Sequence, residues 1–398
     1  MMRDESAEIG SESPRRGIPR TRIGVLGMVT IAVYGSWFYS FGVLLDPIIE
    51  DTGWSEPAVA AAFSSASLIA GLGSLAGGWV LDRWGSRVVF AVAAVLGGGG
   101  LLAAASAATP GVFAIAGGVG GGLLASLGFY HVTQTAAVRI SPGSEDRAIA
   151  VLTIWGAFAS VIYIPLTAWL VTVFDWRVTL RFLGVSTALF LLLGVLTIDT
   201  RPAKTGHLPP IAGEVTRSLR SGRARRFLAS QTLAGIGVGA ILVYQVPAMT
   251  AAGLALTAAS FWAGFRGFAQ LGGRLPLMPL VRRFGIASSL RISYAAIAVG
   301  ALALAFSGNQ LLAATYAVVA GFGIGAVSPL VGMHSKEVFG QASLGTAMGL
   351  VSLVFHIASA VGPVGAAWVV DATSSRAIPV AASAVIVAMA ALVVRSSD

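Results

Sequence analysis

The chain has 398 residues, of which 56% are hydrophobic and only 11% are charged, and its mean hydropathy is +0.83. This composition excludes a soluble globular protein, because too few polar side chains are present to cover its surface. The net charge of +9 does not indicate nucleic-acid binding, since the basic residues stand beside apolar segments rather than in a patch with aromatic side chains. The absence of cysteine excludes disulfides and thiolate metal sites.

Apolar segments long enough to cross a bilayer, about 20 residues each, recur along the whole chain. We predict twelve transmembrane spans in two sets of six. The first set covers residues 22–45, 58–81, 88–107, 112–138, 148–173 and 178–198. The second set covers residues 227–250, 258–281, 286–306, 311–338, 344–370 and 378–394. Residues 1–21 mix both charge signs with Ser and Pro, which is typical of a disordered cytosolic tail, and residues 199–226 form a polar, basic cytosolic linker.

A short charged motif recurs 200 positions apart, between the second and third spans of each set. It reads GWVLDRWGSR at residues 78–87 and VRRFG at residues 281–285. Duplicated helical bundles are typical of secondary transporters, in which two similar halves rock against each other. The sequence therefore predicts an all-α membrane protein of two pseudo-symmetric six-helix bundles, residues 22–198 and 227–395, that works by alternating access.

The Lys and Arg residues are distributed unevenly between the two sides of the predicted bundles. If the N-terminus is cytosolic, that side receives the basic residues of the tail, the linker and the loops after spans two, four, eight and ten. The opposite side receives only Arg177, Arg181 and Arg376. Because cytoplasmic loops are enriched in Lys and Arg, we expect a protein of the cytoplasmic membrane with both termini cytosolic.

Two arginines are the strongly charged side chains predicted to lie inside a span. Arg266 and Arg274 stand in span eight with Gln270 midway, and eight residues drift only about 80° around a helix, so the three form one polar stripe. Each charge costs about 2.5 to 3.5 kcal/mol near the bilayer centre, which favours a functional role. A guanidinium fork matches a carboxylate, which predicts an anion site. The alternative is that Arg274 caps carbonyls or reaches the interface and that Arg266 serves helix packing.

No Asp or Glu falls well inside a predicted span. Carriers of cationic drugs usually need a buried carboxylate, so this absence favours an anion as the solute. Proton coupling would then have to use a histidine or the solute itself.

Further candidates for solute contact are histidines and polar or aromatic residues of spans one, four, seven and eleven. A histidine can donate to a carboxylate or stay neutral within the bundle, and the aromatic rings could bond the solute or fill the core. The candidates are His131, His356, Tyr34, Trp37, Tyr39, Tyr130, Gln134, Tyr244 and Gln245. Pro165 and Pro363, at corresponding places in spans five and eleven, are predicted to kink helices that bend during transport.

The motif of Gly78, Asp82, Arg83, Gly85 and Arg87 resembles the loop signature of the major facilitator superfamily, and the twelve-span layout covers nearly the whole chain. The resemblance implies that Asp82, Arg83 and Arg87 latch the closed cytosolic side and do not touch solute. The second copy of the motif has Arg282 in place of the acid, which implies a weaker or different latch.

Three short motifs also resemble the monocarboxylate transporter and oxalate/formate antiporter branch. They are FGVL at 41–44 with TGWS at 52–55, RAIA at 147–150 before Pro165, and GTAMG at 345–349 before Pro363. This resemblance implies that Arg274 binds the carboxylate and that His356 matches a cationic residue of the oxalate carrier. Two positions depart from proton-coupled members of the branch, because Tyr39 and Gln270 stand where those members have a lysine and an acid.

The sequence has no catalytic constellation, so we expect neither an enzyme nor a cofactor. We predict a carrier for a small organic anion, most simply a monocarboxylate, with a proton co-transported or a second anion exchanged. The alternatives are efflux of an uncharged or amphipathic compound on the same fold, and a membrane receptor or scaffold. We expect a monomer whose other partner is membrane lipid.

Overall fold

The computed structural model of the protein describes residues 18–200, 221–339 and 344–394, except for the side chains of Leu75, Asp82, Asp146, residues 344–347 and Gly349. Most of the predicted tail and linker therefore lies outside the described residues. Every described element is a helix, so the predicted all-α membrane fold is confirmed.

The N-terminal bundle contains spans one to six, and several of its spans consist of more than one helix. Span one comprises Arg20–Tyr34, the π-helical segment Gly35–Tyr39 and Phe41–Thr52. The helical run Glu56–Val92 contains span two and the start of span three, which are two helices separated by the non-helical Gly85, and Ala93–Gly98 and Gly99–Ala105 complete span three. Span four comprises Pro110–Gly128 and Tyr130–Ile140, span five is Glu145–Val173, and span six is Trp176–Thr197.

The C-terminal bundle repeats this order. Span seven is Gly222–Ala251, span eight is Leu256–Arg274, and a short helix, Leu277–Phe284, precedes span nine, Ile286–Ala305. Spans ten, eleven and twelve are Gln310–Phe339, Leu344–Thr373 and Ala377–Val393. Ten described segments are long and apolar enough to cross a membrane; span eight, which carries two arginines, and span twelve, with 17 residues, fall short of that standard.

The predicted repeat is visible in the backbone. Gly85 and Gly285 both have φ near +80° with an extended ψ, at 80°/176° and 78°/167°, a conformation open to glycine alone. Gly53 and Gly253, also 200 positions apart, both end their spans with positive φ. The two halves therefore break their helices at equivalent positions.

Three helix boundaries differ from the prediction. The charged motif at residues 78–87 is helical on both sides of Gly85, where the backbone leaves helical geometry and separates the two spans. Predicted span eight is divided after Arg274, where Pro276 lacks the N–H that a continuous helix requires. Predicted span four is divided at Phe129, which is extended. Pro165 and Pro363, in contrast, lie within continuous helices.

The two bundles meet along three helix pairs, which are spans two and eleven, five and eight, and one and seven. Small residues let the backbones approach, as expected where lipid supplies no hydrophobic force between helices. A side chain at Gly71 would strike His356, one at Gly267 would strike Ser160, and one at Gly42 would strike the Val243 carbonyl. This interface holds the candidate site.

Candidate substrate site

A charged side chain without a charged partner lies at the centre of the bundle interface. Arg266 of span eight is fully buried, and its Nε donates to Oε1 of Gln245 of span seven over 3.0 Å. Its two terminal nitrogens have no hydrogen-bond partner. Among the described side chains, no carboxylate lies within 4.0 Å of Arg266. The guanidinium thus presents a free fork inside the protein.

Two tyrosines, one from each bundle, frame this guanidinium. The hydroxyl of Tyr316 in span ten donates to the same Gln245 oxygen over 2.9 Å. The ring centre of Tyr39, in span one, lies 5.8 Å from the guanidinium carbon. Tyr39 ends the π-helical segment Gly35–Tyr39, and π-helical turns are frequent at functional sites because they redirect side chains. The sequence analysis did not name Tyr316. It is a polar aromatic residue in a span rich in Gly and Ala, and this contrast could have indicated a site residue.

The other two residues of the predicted stripe have different surroundings. Arg274 donates from Nε to the Gly325 carbonyl over 3.3 Å and from Nη1 to the Thr153 carbonyl over 3.2 Å. This is the carbonyl-capping arrangement that the sequence left open, although the Thr153 bond also crosses between bundles. Gln270 is buried, with its backbone against Gly325. Solute contact by Arg274 and Gln270 stays a prediction.

An aromatic face of the N-terminal bundle lies beside Arg274. The ring of Tyr34 is centred 5.3 Å from that of Tyr130, whose hydroxyl donates to the Thr153 carbonyl over 3.3 Å. The Gln134 amide donates to the Thr153 hydroxyl over 3.2 Å. Two predicted site residues, Tyr130 and Gln134, therefore bond the same residue of span five as Arg274.

The two predicted histidines lie elsewhere on the interface. His356 has Nδ1 2.8 Å from the Ser352 carbonyl and packs against Gly71 of span two. His131 has Nε2 2.8 Å from the Ser126 carbonyl. Each imidazole bonds a carbonyl of its own span, and neither bonds Arg266. Substrate contact by either stays a prediction.

Two predicted solute contacts are placed in packed interiors. Trp37 is fully buried in the N-terminal bundle, where it fills the space beside Gly117 and Gly121. Tyr244 is also fully buried, close to Glu56 rather than Arg266. Solute contact by Trp37 and Tyr244 stays a prediction.

Comparison with known proteins identifies the family. The model of the Major Facilitator Superfamily matches residues 26–306 and 227–397. The chain belongs to the major facilitator superfamily. It is a multi-pass membrane transporter and not an enzyme.

Solved transporters share the fold of this major facilitator at low sequence identity. The nucleoside transporter NupG is 17% identical with a TM-score of 0.76, covering 94% of this chain and 96% of its own. A POT family transporter in complex with 5-aminolevulinic acid is 13% identical with a TM-score of 0.74, covering 95% and 96%. A bacterial homolog of the human lysosomal transporter Spinster is 13% identical with a TM-score of 0.71, covering 96% and 97%. No curated protein matches significantly.

The family's loop signature packs against the end of span six in this transporter. The Ser86 amide donates to the Thr200 hydroxyl over 3.0 Å, and Arg87 lies 3.4 Å from the Asp199 carboxylate. Arg83 lies over the Trp79 ring, while the Asp82 side chain lies outside the described residues. These contacts stay within the N-terminal bundle, so a gating role for Asp82, Arg83 and Arg87 stays a prediction. Gly78 has open space around it.

A cross-bundle ion-pair cluster lies on the opposite side of the transporter, and the sequence analysis missed it. We call the side where the described chain begins and ends the terminus side, the other the far side, and Asp46, Glu56 and Arg376 the far-side latch. Arg376 Nη1 donates to Asp46 over 2.8 Å, Nη2 contacts the same carboxylate, and Nη2 lies 3.5 Å from Glu56. The side chains are only 18%, 27% and 12% exposed for Arg376, Asp46 and Glu56.

The electrostatics of the far-side latch favour the charged arginine. Burial lowers the pKa of Arg376, but the hydrogen bonds and charges of Asp46 and Glu56 outweigh burial and raise that pKa above its ordinary value. Arg376 also donates to the Pro247 carbonyl of span seven over 3.4 Å. The latch thus ties spans one and two to the C-terminal bundle while the far side is closed.

Proposed function

We propose that this transporter carries a small organic anion, most simply a monocarboxylate, that binds the free guanidinium fork of Arg266. The observation that supports the proposal is a fully buried arginine whose terminal nitrogens have no partner. An uncompensated buried charge is costly, so the arrangement is sustained most readily by a ligand that supplies the opposite charge. A carboxylate offers two oxygens in the geometry of the fork.

The number of free donors favours one carboxylate over two. Among the described residues, Arg266 is the arginine with a free fork at the interface, whereas Nε and Nη1 of Arg274 already bond carbonyls. A second carboxylate on the solute would have no matching free guanidinium nearby and would be desolvated without a partner. The three short sequence motifs that resemble the monocarboxylate branch support the same choice.

The latched far side supports transport by alternating access. Spans one and seven pack closely there, and the far-side latch joins the two bundles. The excess of Lys and Arg on the terminus side supports a cytosolic location for it, in the cytoplasmic membrane. The anion would therefore enter the buried site from one side at a time.

Thermal stabilisation of the purified transporter tests the proposal, because a ligand that binds only the folded state raises its apparent stability. The panel contains small monocarboxylates, dicarboxylates, neutral analogues and cationic drugs. We expect stabilisation by monocarboxylates in the parent and in Arg181→Gln, and its loss in Arg266→Gln.

Arg181→Gln is the matched control, since it removes an exposed guanidinium of span six and leaves the free fork of Arg266 in place. Arg266→Lys keeps the charge without the fork and should bind weakly. Stabilisation confined to neutral or cationic compounds would contradict anion transport and favour efflux of uncharged or amphipathic compounds.

A further inference from the structure

Three tyrosine rings of the N-terminal bundle form a row along the bundle interface, beginning beside Arg266. The ring of Tyr39 is centred 5.8 Å from the Arg266 guanidinium carbon. The ring of Tyr34 is centred 6.4 Å from that of Tyr39, and the ring of Tyr130 is centred 5.3 Å from that of Tyr34. We call Tyr34, Tyr39 and Tyr130 the tyrosine wall.

The far end of this wall lies beside Arg274. The Tyr130 hydroxyl donates to the Thr153 carbonyl, which also accepts from Arg274. Arg266 and Arg274 are eight residues apart, or about 12 Å along span eight. The tyrosine wall therefore extends well beyond the free guanidinium fork.

The backbone of span one aligns two of these rings. In a regular α-helix, residues five apart point about 140° away from each other around the helix axis. The π-helical segment Gly35–Tyr39 separates Tyr34 from Tyr39, and the Ser40 amide donates to the Gly35 carbonyl, five residues back. A π-helical turn takes up one extra residue, so the two rings share a face and stack with planes only 28° apart.

Phe129 supports the tyrosine wall from behind. It is the extended residue at which span four is divided, and its ring lies parallel to that of Tyr34 with centres 3.7 Å apart. Phe129 is buried, whereas all three wall tyrosines are partly exposed. The departures from regular helix in spans one and four thus build one aromatic surface that the protein leaves partly uncovered.

From this arrangement, and resting on the anion site of the proposed function, we infer that the solute is an aromatic monocarboxylate. Its carboxylate binds the fork of Arg266, and its planar ring lies against Tyr39 and extends along the wall toward Tyr34. Aromatic rings attract one another with centres about 4.5 to 7 Å apart, which is the spacing within the wall. An acid as short as acetate would reach no ring beyond Tyr39.

The two parts of such a solute are held by different bundles. Arg266 belongs to the C-terminal bundle and holds the carboxylate, whereas the tyrosine wall belongs to the N-terminal bundle and holds the ring. An aromatic acid therefore bridges the two halves that move relative to each other in alternating access.

Three probes of equal size separate the effect of charge from that of aromaticity. Benzoate has both a carboxylate and an aromatic ring, cyclohexanecarboxylate has the carboxylate on a non-aromatic ring, and benzamide has the aromatic ring without the charge. We expect titration calorimetry of the purified transporter to show benzoate binding about three- to tenfold more tightly than cyclohexanecarboxylate, and no binding of benzamide.

Substitutions assign this preference to the tyrosine wall. Tyr39→Leu removes the ring nearest the fork and should bind the two carboxylates equally, whereas Tyr39→Phe keeps the ring and should keep the preference. Phe182→Leu, which removes an exposed ring of span six outside the wall, is the control and should behave like the parent. Both affinities are measured on one preparation, so partial unfolding changes the stoichiometry and not their ratio. A Tyr39→Leu variant that still prefers benzoate would contradict the inference.

Failure of this inference is distinguishable from failure of the anion proposal. Equal affinities of benzoate and cyclohexanecarboxylate in the parent would overturn the aromatic solute and leave the anion site standing. Binding of neither carboxylate, with or without binding of benzamide, would overturn both.

Discussion

At the scale of single residues, the fork of Arg266 is oriented by groups that do not use it. Gln245 accepts from Nε, and Tyr316 donates to the same amide oxygen, so the position of the guanidinium is fixed from one side. Both terminal nitrogens stay free for a ligand. Orientation in advance reduces the entropy lost when the ligand binds.

Removing the orienting bond should weaken anion binding without removing the charge. We expect Gln245→Leu to lower monocarboxylate affinity about ten- to a hundredfold, because a hydrogen bond to a charged group contributes roughly 1.5 to 3 kcal/mol. Tyr316→Phe should have a smaller effect in the same direction. Titration calorimetry measures both; a Gln245→Leu variant of unchanged affinity would contradict the orienting role.

A steric prediction concerns Gly156 of span five. A methyl group there would overlap the Tyr130 hydroxyl, so Gly156→Ala should destabilise the transporter by about 1 to 3 kcal/mol. Tyr130→Phe removes that hydroxyl and should relieve part of the loss in the double variant. Gly365→Ala, whose added methyl meets open space, is the control. Thermal unfolding in detergent checks all four proteins, and a double variant as unstable as Gly156→Ala would reject the overlap.

The sequence predicted the positions of the polar residues of span eight better than it predicted their contacts. The spacing of Arg266, Gln270 and Arg274 correctly places all three on span eight. It could not show that Gln245 accepts a hydrogen bond from Nε of Arg266, or that the Thr153 carbonyl accepts one from Arg274, because those partners belong to other spans. Spacing along one helix determines a face, whereas the neighbours of that face depend on how the helices pack.

At the scale of helices, Gly85 and Gly285 adopt a positive-φ conformation that would be strained for any residue with a side chain. Gly85 and Gly285 share the same backbone geometry but differ in surroundings. An added methyl at Gly85 would strike the Thr200 carbonyl at the end of span six, while one at Gly285 meets open space. The helix break is therefore packed against span six in the N-terminal half, whereas its counterpart in the C-terminal half has open space around it.

This difference predicts unequal costs for the same substitution. Gly285→Ala should cost about 1 to 3 kcal/mol from backbone strain alone. Gly85→Ala should cost more, because the clash with a backbone carbonyl adds to the strain. Chemical or thermal unfolding of the two variants measures the difference. Equal losses in the free energy of unfolding would show that the Thr200 backbone moves aside without a significant penalty.

Helix order was predictable from the sequence, but several helix ends were not. Long apolar runs predicted the two sets of six, and the repeated motif predicted their correspondence. The breaks at Phe129 and after Arg274 escaped notice because apolar sequence continues across both of them. Hydropathy measures partition into lipid and is insensitive to one residue that leaves helical geometry.

At the scale of the whole molecule, the far-side latch is the charged contact that ties one bundle to the other on that side. The latch side chains are partly buried, so their ion pair contributes more than the roughly 0 to 1 kcal/mol of an exposed pair and biases the equilibrium between closed and open far sides.

Charge reversal tests the latch as a pair. Asp46→Arg places a second cation beside Arg376 and should open the far side. Arg376→Asp places a third carboxylate beside Asp46 and Glu56 and should have the same effect. The double variant restores opposite charges and should return the closed population toward that of the parent. Distances between spin labels attached through Glu50→Cys and Thr373→Cys, two exposed far-side positions on different bundles, report the populations. A double variant as open as the singles would show that Asp46 and Arg376 do not act as a pair.

The 200-position repeat lets each residue be compared with its counterpart in the other half. Gln245, Arg266 and Tyr316 correspond to the buried Leu45 and Ala66 and the partly buried Ala116, three apolar residues. Conversely, the N-terminal half alone has the rings of Tyr34, Tyr39 and Tyr130, which correspond to Ala234, Gly239 and Leu330. The halves kept a common backbone and diverged in their polar side chains.

That divergence has an evolutionary reading. An ancestor built from two identical halves would have had a buried guanidinium in both halves or in neither, so the single Arg266, with Ala66 as its counterpart, dates from after the halves became distinct. A chimaera of two N-terminal halves would accordingly assemble as a membrane bundle with an aromatic passage and no means of attracting an ion.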